Sequence, residues 1–344
     1  MLRIWFNRTY ATNSHVIAML RANADGRELH VIGTHTDPDS PVLVACDEHE
    51  VEPVLEPADY IEWAVEFARK HDVQVLIPRF GMAELADARE RFAAIGTSLA
   101  CPDGETVRLF DDKPRAYRAA AELGVPVPPH HVVCDAAGLR AAHEQLSGLA
   151  ESVVMKPTVG VGGAGYRVIT TGPQVLADFA GQIRHRADLG AVCDAMDAAA
   201  AVGEPVPRLL VMPYLTGPEI SVDVLAARDG SVLAAIGRGR SRRRRLIVDD
   251  GPARDVAATL TKAHRVAYLS NTQVRYWQGP QDTEPLPYLL ELNTRISGGL
   301  FQTALAGVNL PWDAVRLALG EDVGPLAPRF GAAFTTISSL VPLP

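Results

Sequence analysis

The spacing of apolar residues changes period repeatedly along the chain, and each change marks an element. "LRIWF" at 2–6 and "LHVIGTH" at 29–35 are apolar runs of strand length, and "DVQVLIP" at 72–78 is a third. Between them, "DYIEWAVEFARKH" puts Ile61, Val65 and Ala68 on one face of a helix. Strands alternating with helices predict an α/β layer with a parallel sheet. The turn after the first strand, "NRTYATN", has no glycine, so the layer lacks a dinucleotide fingerprint where one would sit.

A new pattern starts at "DDKPRAYRAAAELGVPVPPH". Asp111 or Asp112 caps a helix, Pro114 suits its first turn, Ala116, Ala120 and Leu123 line one face, and Gly124 and Pro126 stop it. "AAGLRAAHEQL" continues helical. "SVVMKP" and "YRVIT" read as strands, "PQVLADFAGQIRHRA" as a helix with Leu176, Phe179 and Ile183 aligned, and an Ala-rich helix runs on to Gly203. "RLLVMPYL" and "EISVDVLAARDGSVLAAIG" supply strands and a hairpin about Asp229 and Gly230. "VAATLTKAHRVAYL" at 256–269 is helical, and "NTQVRYW" and "YLLELN" are strands again.

The two strands at 152–157 and 166–170 enclose "KPTVGVGGAG". Gly160 to Gly165 match GxGxxG, yet the chain returns as a strand where a dinucleotide loop must open a helix, and Lys156 precedes the glycines where a Walker A lysine follows them. What remains is a hairpin, either a flap laying backbone N–H groups over phosphates or a plain surface turn.

Composition narrows the class. The chain has 344 residues, 47% of them hydrophobic, enough for two or three domains with substantial cores. Charge or proline interrupts every apolar run before membrane-spanning length, and the first residues lack a secretory pattern, so a cytoplasmic protein is expected. Cys46, Cys101, Cys134 and Cys193 are scattered, without CxxC or a matching histidine, and read as reduced core thiols. His130 and His131 finish a turn and receive no catalytic role. The net charge of −8 argues against a general nucleic-acid binder.

Chemistry enters with "YLLELN". Glu291 and Asn293 share a strand face about 7 Å apart, opposite Tyr288, Leu290 and Leu292. A carboxylate and an amide oxygen together suit Mg²⁺, or form a solvated sheet face. A hairpin centred on Asp282 brings Gln273 opposite Glu291, with Arg275 beside it. Glu219, Ser221 and Asp223 alternate with Ile220, Val222 and Val224, and Glu219 reads as a solvated strand residue or as an acceptor for ribose hydroxyls.

The order of these pieces is specific: DK before a helix ending in GVPVP, VVMKP with its glycine loop, MPYLTGPEISVD, TQV, then ELNTRISGG. It resembles the ATP-grasp superfamily over about residues 105–322, most closely the carbamoyl-phosphate-synthase-like carboxylate–amine ligases. The resemblance implies an ATP-grasp fold, two lobes with antiparallel sheets and a glycine-rich flap, after a parallel-sheet pre-ATP-grasp domain. The expected domains are 1–108, then 109–322 with a flap subdomain about 150–208, and a tail at 323–344 packing on the domain.

Residue by residue, the likeness implies that Lys113 and Lys156 contact ATP phosphates under a flap formed by Gly160, Gly162, Gly163 and Gly165. Met212, Tyr214 and Leu215 would form the adenine hinge through main-chain groups, since Pro213 stands where the family commonly has Glu. Glu219 would hold the ribose. Gln273, Glu291 and Asn293 would bind Mg²⁺, two ions with Mn²⁺ as alternative, and Arg295 and Lys156 would be catalytic. The implied activity activates a carboxylate as an acyl phosphate and joins it to an amine, releasing ADP and phosphate, with small-molecule substrates and scope for a homo-oligomer. The alternative is an ATP-binding regulatory or structural module without ligation.

"RGRSRRRR" packs six arginines into residues 238–245. One or two of Arg242 to Arg245 entering the site, a solvated run, and nucleic-acid contact are the three readings. The third is weakest, because no aromatics are interleaved.

Overall fold

The computed structural model describes residues 1–160, 163–172, 185–241 and 244–337. It divides into two compact units. Unit 1 comprises Met1–Phe110, Glu219–Gln273 and Leu292–Pro344, and unit 2 comprises Asp111–Pro218 and Val274–Glu291.

Unit 1 opens with the parallel sheet expected from its alternating elements. Strands β1 (Leu2–Asn7), β2 (Leu29–His35), β3 (Glu48–Val51), β4 (Val75–Ile77) and β5 (Ser98–Leu99) lie in the order β3-β2-β1-β4-β5. Both faces of β1 are buried. Ile4 and Phe6 join a core with Val16, Ile17 and Leu20 of α1 (Asn13–Arg21), while Trp5 joins one with Tyr60, Ile61 and Ala64 of α2 (Pro57–Lys70). The sheet order reverses between β1 and β4, the position where open α/β sheets form a crevice.

A six-stranded sheet follows in the order β15-β14-β11-β12-β13-β16. Its strands are β11 (Glu219–Ala226), β12 (Val232–Ser241), β13 (Arg244–Val248), β14 (Tyr268–Trp277), β15 (Leu286–Asn293) and β16 (Ala333–Phe334). The β11–β12 hairpin is antiparallel, as its turn at Asp229 and Gly230 implies. Residues 326–334 return to unit 1, where Leu326 N–H donates to the Leu233 carbonyl and β16 pairs with β13.

Unit 2 carries the sheet β6-β10-β7-β8-β9, made of β6 (His131–Val133), β7 (Val153–Pro157), β8 (Arg167–Thr170), β9 (Arg186–Asp188) and β10 (Leu209–Pro213). The strands flanking the glycine loop pair antiparallel, with Val154 opposite Val168. Behind the sheet, α7 (Ala136–Ser147) and Leu189–Ala201 bury Leu139, Leu146, Cys193 and Met196 with Val153 and Val211.

Two boundaries differ from the sequence expectation. The helix expected at 256–269 is instead Gly251–Ala263: Asp250 caps it through Ala253 N–H at 3.1 Å, Pro252 suits its start, and Arg265 at φ 49° ends the turn that leads into β14. The helix expected at 173–187 lies largely outside the described residues, and its end, from Arg186, is strand β9.

One local prediction follows. Asp135 caps α7 by accepting from Gly138 N–H at 2.6 Å, so Asp135→Ala should cost about 1 kcal/mol in urea unfolding of the full chain. An unchanged midpoint would mean that this cap adds nothing.

Candidate active site

In unit 2, Asp112 caps α6 (Lys113–Glu122) through Arg115 N–H, which points Lys113 off the first turn. Lys113 is only 7% exposed, and its ammonium donates to the Gly160 carbonyl at 3.1 Å. Lys156, on β7, donates to the Leu290 carbonyl at 3.2 Å and the Tyr117 oxygen at 3.4 Å. Tyr117 lies one helical turn after Lys113, is fully buried, and donates its hydroxyl to the same Leu290 carbonyl at 3.0 Å. Leu290 precedes Glu291, so the two lysines and a carboxylate are gathered here. Burial holds the Lys156 pKa down to about 8 from 10.5, with the Lys113 charge lowering it further and Glu291 opposing. Burial, then the Glu291 charge, pushes the Tyr117 phenol far above its usual range, so it stays neutral. Sequence reasoning missed Tyr117, although its spacing from Lys113 puts both on one helix face.

The glycine loop leaves β7 and re-enters β8. Gly163 and Gly165 both have φ 73°, and a Cβ at Gly165 would stand 2.7 Å from the Pro157 ring, so the loop folds back onto the strand that carries Lys156. Gly160, Gly163 and Gly165 are exposed; Gly162 lies outside the described residues. In the expected hinge, Met212 and Leu215 are buried. The Tyr214 amide is already committed to the Ser152 carbonyl at 2.8 Å, and Arg275 donates to the Leu215 carbonyl at 3.3 Å. Arg275 therefore lies against the hinge, with its guanidinium 5.6 Å from the Tyr214 ring centre.

Unit 1 holds the other expected residues. Asp223 is completely buried and accepts from Arg238 Nε at 2.5 Å, Asn271 Nδ2 at 2.8 Å and Ser297 Oγ at 2.8 Å. Gln273 donates through Nε2 to Asn271 Oδ1 at 3.2 Å, which turns its amide oxygen away from the network. Arg238 also reaches Ser297 Oγ at 3.0 Å, and a Cβ at Gly299 would stand 2.2 Å from its guanidinium. Asn293 is half-buried at the end of β15, on the face it shares with Glu291, and Glu219 is exposed at the start of β11. Arg295 lines a small pocket in unit 1. The arginine run folds into the β12–β13 hairpin, with Arg244 exposed and Arg245 half-buried; Arg242 and Arg243 lie outside the described residues. The member of the run built into a network is Arg238, whose signal was its position beside Ser221 on paired strands.

The donor chemistry fits the ligands the resemblance implies. Two buried ammonium groups, one repelling the other, suit a polyphosphate. Elsewhere in unit 1, Glu48, Glu50 and His71 converge at metal-ligand spacing, but Arg3 and Lys70 already neutralise the two glutamates.

Comparison with known proteins agrees with this geometry. Residues 205–339 match the family described as ATP-grasp in the biosynthetic pathway with Ter operon. Among solved structures of the same fold are the biotin carboxylase domain of Hydrogenobacter thermophilus 2-oxoglutarate carboxylase and N5-carboxyaminoimidazole ribonucleotide synthetase from Thermus thermophilus. The first has TM-score 0.65 and 18% identity, covering 97% of this chain and 73% of that one. The second has TM-score 0.61 and 18% identity, covering 96% and 82%. The fold is thus an ATP-grasp fold after a parallel sheet. Sequence relatives include the alpha subunit of Arabidopsis thaliana methylcrotonoyl-CoA carboxylase, 26% identical over 290 residues, 78% of this chain and 37% of that protein. Pseudomonas aeruginosa biotin carboxylase is 26% identical over 261 residues, 71% of this chain and 54% of that one. The matched stretches thus span from about a third to just over half of these relatives. No described helix is long and apolar enough to cross a membrane.

A polyanion beside Lys156 opposes the desolvation that lowers its pKa, so binding of tripolyphosphate near pH 8 should take up protons. Calorimetry in two buffers of different ionisation enthalpy measures this, and the uptake should vanish in Lys156→Met. Equal heats in both buffers for the wild type would show that Lys156 is already fully charged or not at the anion.

Proposed function

We propose that this chain is an ATP- and magnesium-dependent ligase that activates a carboxylate as an acyl phosphate and joins it to an amine, releasing ADP and phosphate. The observation that carries the reading is the gathering of Lys113, Lys156 and Glu291 in unit 2 beside a glycine loop that starts from the same strand. The ADP, magnesium and bicarbonate named for the related 2-oxoglutarate carboxylase domain support the ligand class. The proposed domain reading remains 1–108 ahead of an ATP-grasp region at 109–322.

In this reading Lys113 and Lys156 hold the phosphate oxygens, and Tyr117 keeps Lys156 aimed by sharing the Leu290 carbonyl with it. The glycine loop closes over the phosphates and excludes water, which preserves an acyl phosphate from hydrolysis. With Tyr214 N–H already used, Leu215 N–H is the hinge donor for the base, and Glu219 takes the ribose. Glu291, Asn293 and Gln273 would hold magnesium, which screens phosphate charge when bound. Arg295 stabilises charge on the reacting oxygen atoms. The carboxylate oxygen displaces ADP from the γ-phosphorus; the amine nitrogen then displaces phosphate from the acyl carbon and loses its proton.

A phosphate-release screen of small carboxylates, bicarbonate included, crossed with amines tests the reaction. The expected product has the mass of both substrates less one water, and ATP hydrolysis without condensation would refute amide formation. Glu291→Gln should lower turnover by roughly a hundredfold or more with the unfolding midpoint nearly unchanged. Intact ATP consumption in that variant would remove Glu291 from metal binding.

A further inference from the structure

The small pocket in unit 1 lies at the carboxyl ends of β1 and β4, where the strand order of the parallel sheet reverses. Its polar wall is Thr9, Asn13, Arg79 and Arg295, over apolar side chains, and no carboxylate lines it. Two arginines among the lining residues, with no carboxylate beside them, leave the site short of an anion. The Arg295 side chain makes no hydrogen bond or ion pair among the described residues.

The other members are held in place. Asn7, fully buried at the end of β1, accepts from Arg79 N–H at 2.7 Å and donates to the Phe80 carbonyl at 2.9 Å, which fixes the backbone from which Arg79 projects. Arg79 donates to the Tyr10 hydroxyl at 2.5 Å and lies 4.1 Å over that ring, which steers the fork while leaving donors for a ligand. Asn13 is 2% exposed, and its amide oxygen has no partner. Its amide NH₂ donates to Thr9 Oγ1. Turning the amide over lets its oxygen accept from the Thr9 hydroxyl and gives its NH₂ to an anion. The backbone amides of Asn13, Ser14 and His15 already go to the carbonyls of Tyr10, Ala11 and Thr12, so the side chains are the available partners.

We infer that this pocket binds the anionic head, a carboxylate or phosphate group, of the acid substrate, with Arg79 as a specificity-determining residue beside Arg295. The enclosed part has room for a group about the size of one water, so one anionic oxygen of the head enters and the rest of the substrate stays outside. This rests on the proposed ligase reading for the word substrate, but the anion site itself does not need ATP.

The test is calorimetric titration of succinate and of inorganic phosphate, without nucleotide, into the wild type, Arg79→Met, Arg79→Lys and Lys156→Met, with circular dichroism to check folding. Arg79→Met should weaken binding of the preferred anion roughly tenfold or more, Arg79→Lys should restore part of it, and the binding that Arg79→Met removes should persist in Lys156→Met. Whichever of succinate and phosphate binds more tightly identifies the head group. Should Arg79→Met unfold, Tyr10→Phe, which frees the fork while keeping the ring, should still weaken binding. No binding to the wild type, equal binding to Arg79→Met, or loss only in Lys156→Met would each overturn the inference. A failed ligation screen alongside Arg79-dependent anion binding would instead count against the ligase reading alone.

Discussion

One buried carboxylate organises unit 1. Asp223 has no exposure to solvent, and leaving it ionised there would cost several kcal/mol without compensation. Arg238, Asn271 and Ser297 compensate it from β12, β14 and the segment after β15. Because Asp223 has oxygens for only a few donors, each partner's orientation is determined, and the order propagates. Asn271 gives its NH₂ to Asp223 and its oxygen to Gln273, and Gln273 therefore presents its own oxygen elsewhere. Arg238, drawn in by Asp223, occupies the volume a side chain at position 299 would need, so the glycine there is a packing requirement before it is anything chemical.

Unit 2 uses the opposite device. Instead of a charge fully matched by its donors, Lys156 is held where burial and Lys113 make its charge costly, against the single carboxylate of Glu291. Tyr117 cannot relieve this, since its phenol stays neutral, and it acts as a spacer and guide. An electrostatically incomplete arrangement of this kind is stabilised by a ligand that supplies negative charge, which links the loss of local stability to binding.

Much of the fold was legible because it follows periodicity. The β1, β2 and α2 patterns, the capped helix after Asp112, and the strands around the glycine loop all depend on contacts along their own segments. Helix limits were less legible: the start at Gly251 depends on a cap at Asp250 that the apolar stripe does not report. Within the site, the described residues read from motifs lie on the segments expected of them, whereas Tyr117 and Arg79 went unmarked and Arg238 was noted only as a member of the arginine run. Their importance comes from partners far away in sequence, such as Leu290 for Tyr117 and Asp223 for Arg238. Asn7 was likewise read only as the first residue of a turn, although it fixes the loop 72 positions later.

The two-residue strand β16 has an effect out of proportion to its length. It pairs with β13, whose far side would otherwise offer unpaired N–H and C=O groups at the rim of a six-stranded sheet. Arginines at 244 and 245 repel like copies, and the returning segment covers the backbone between them and Val248. Charge and cover together protect the sheet from growing by addition of a strand from another molecule, so this short segment bears on solubility as much as on folding.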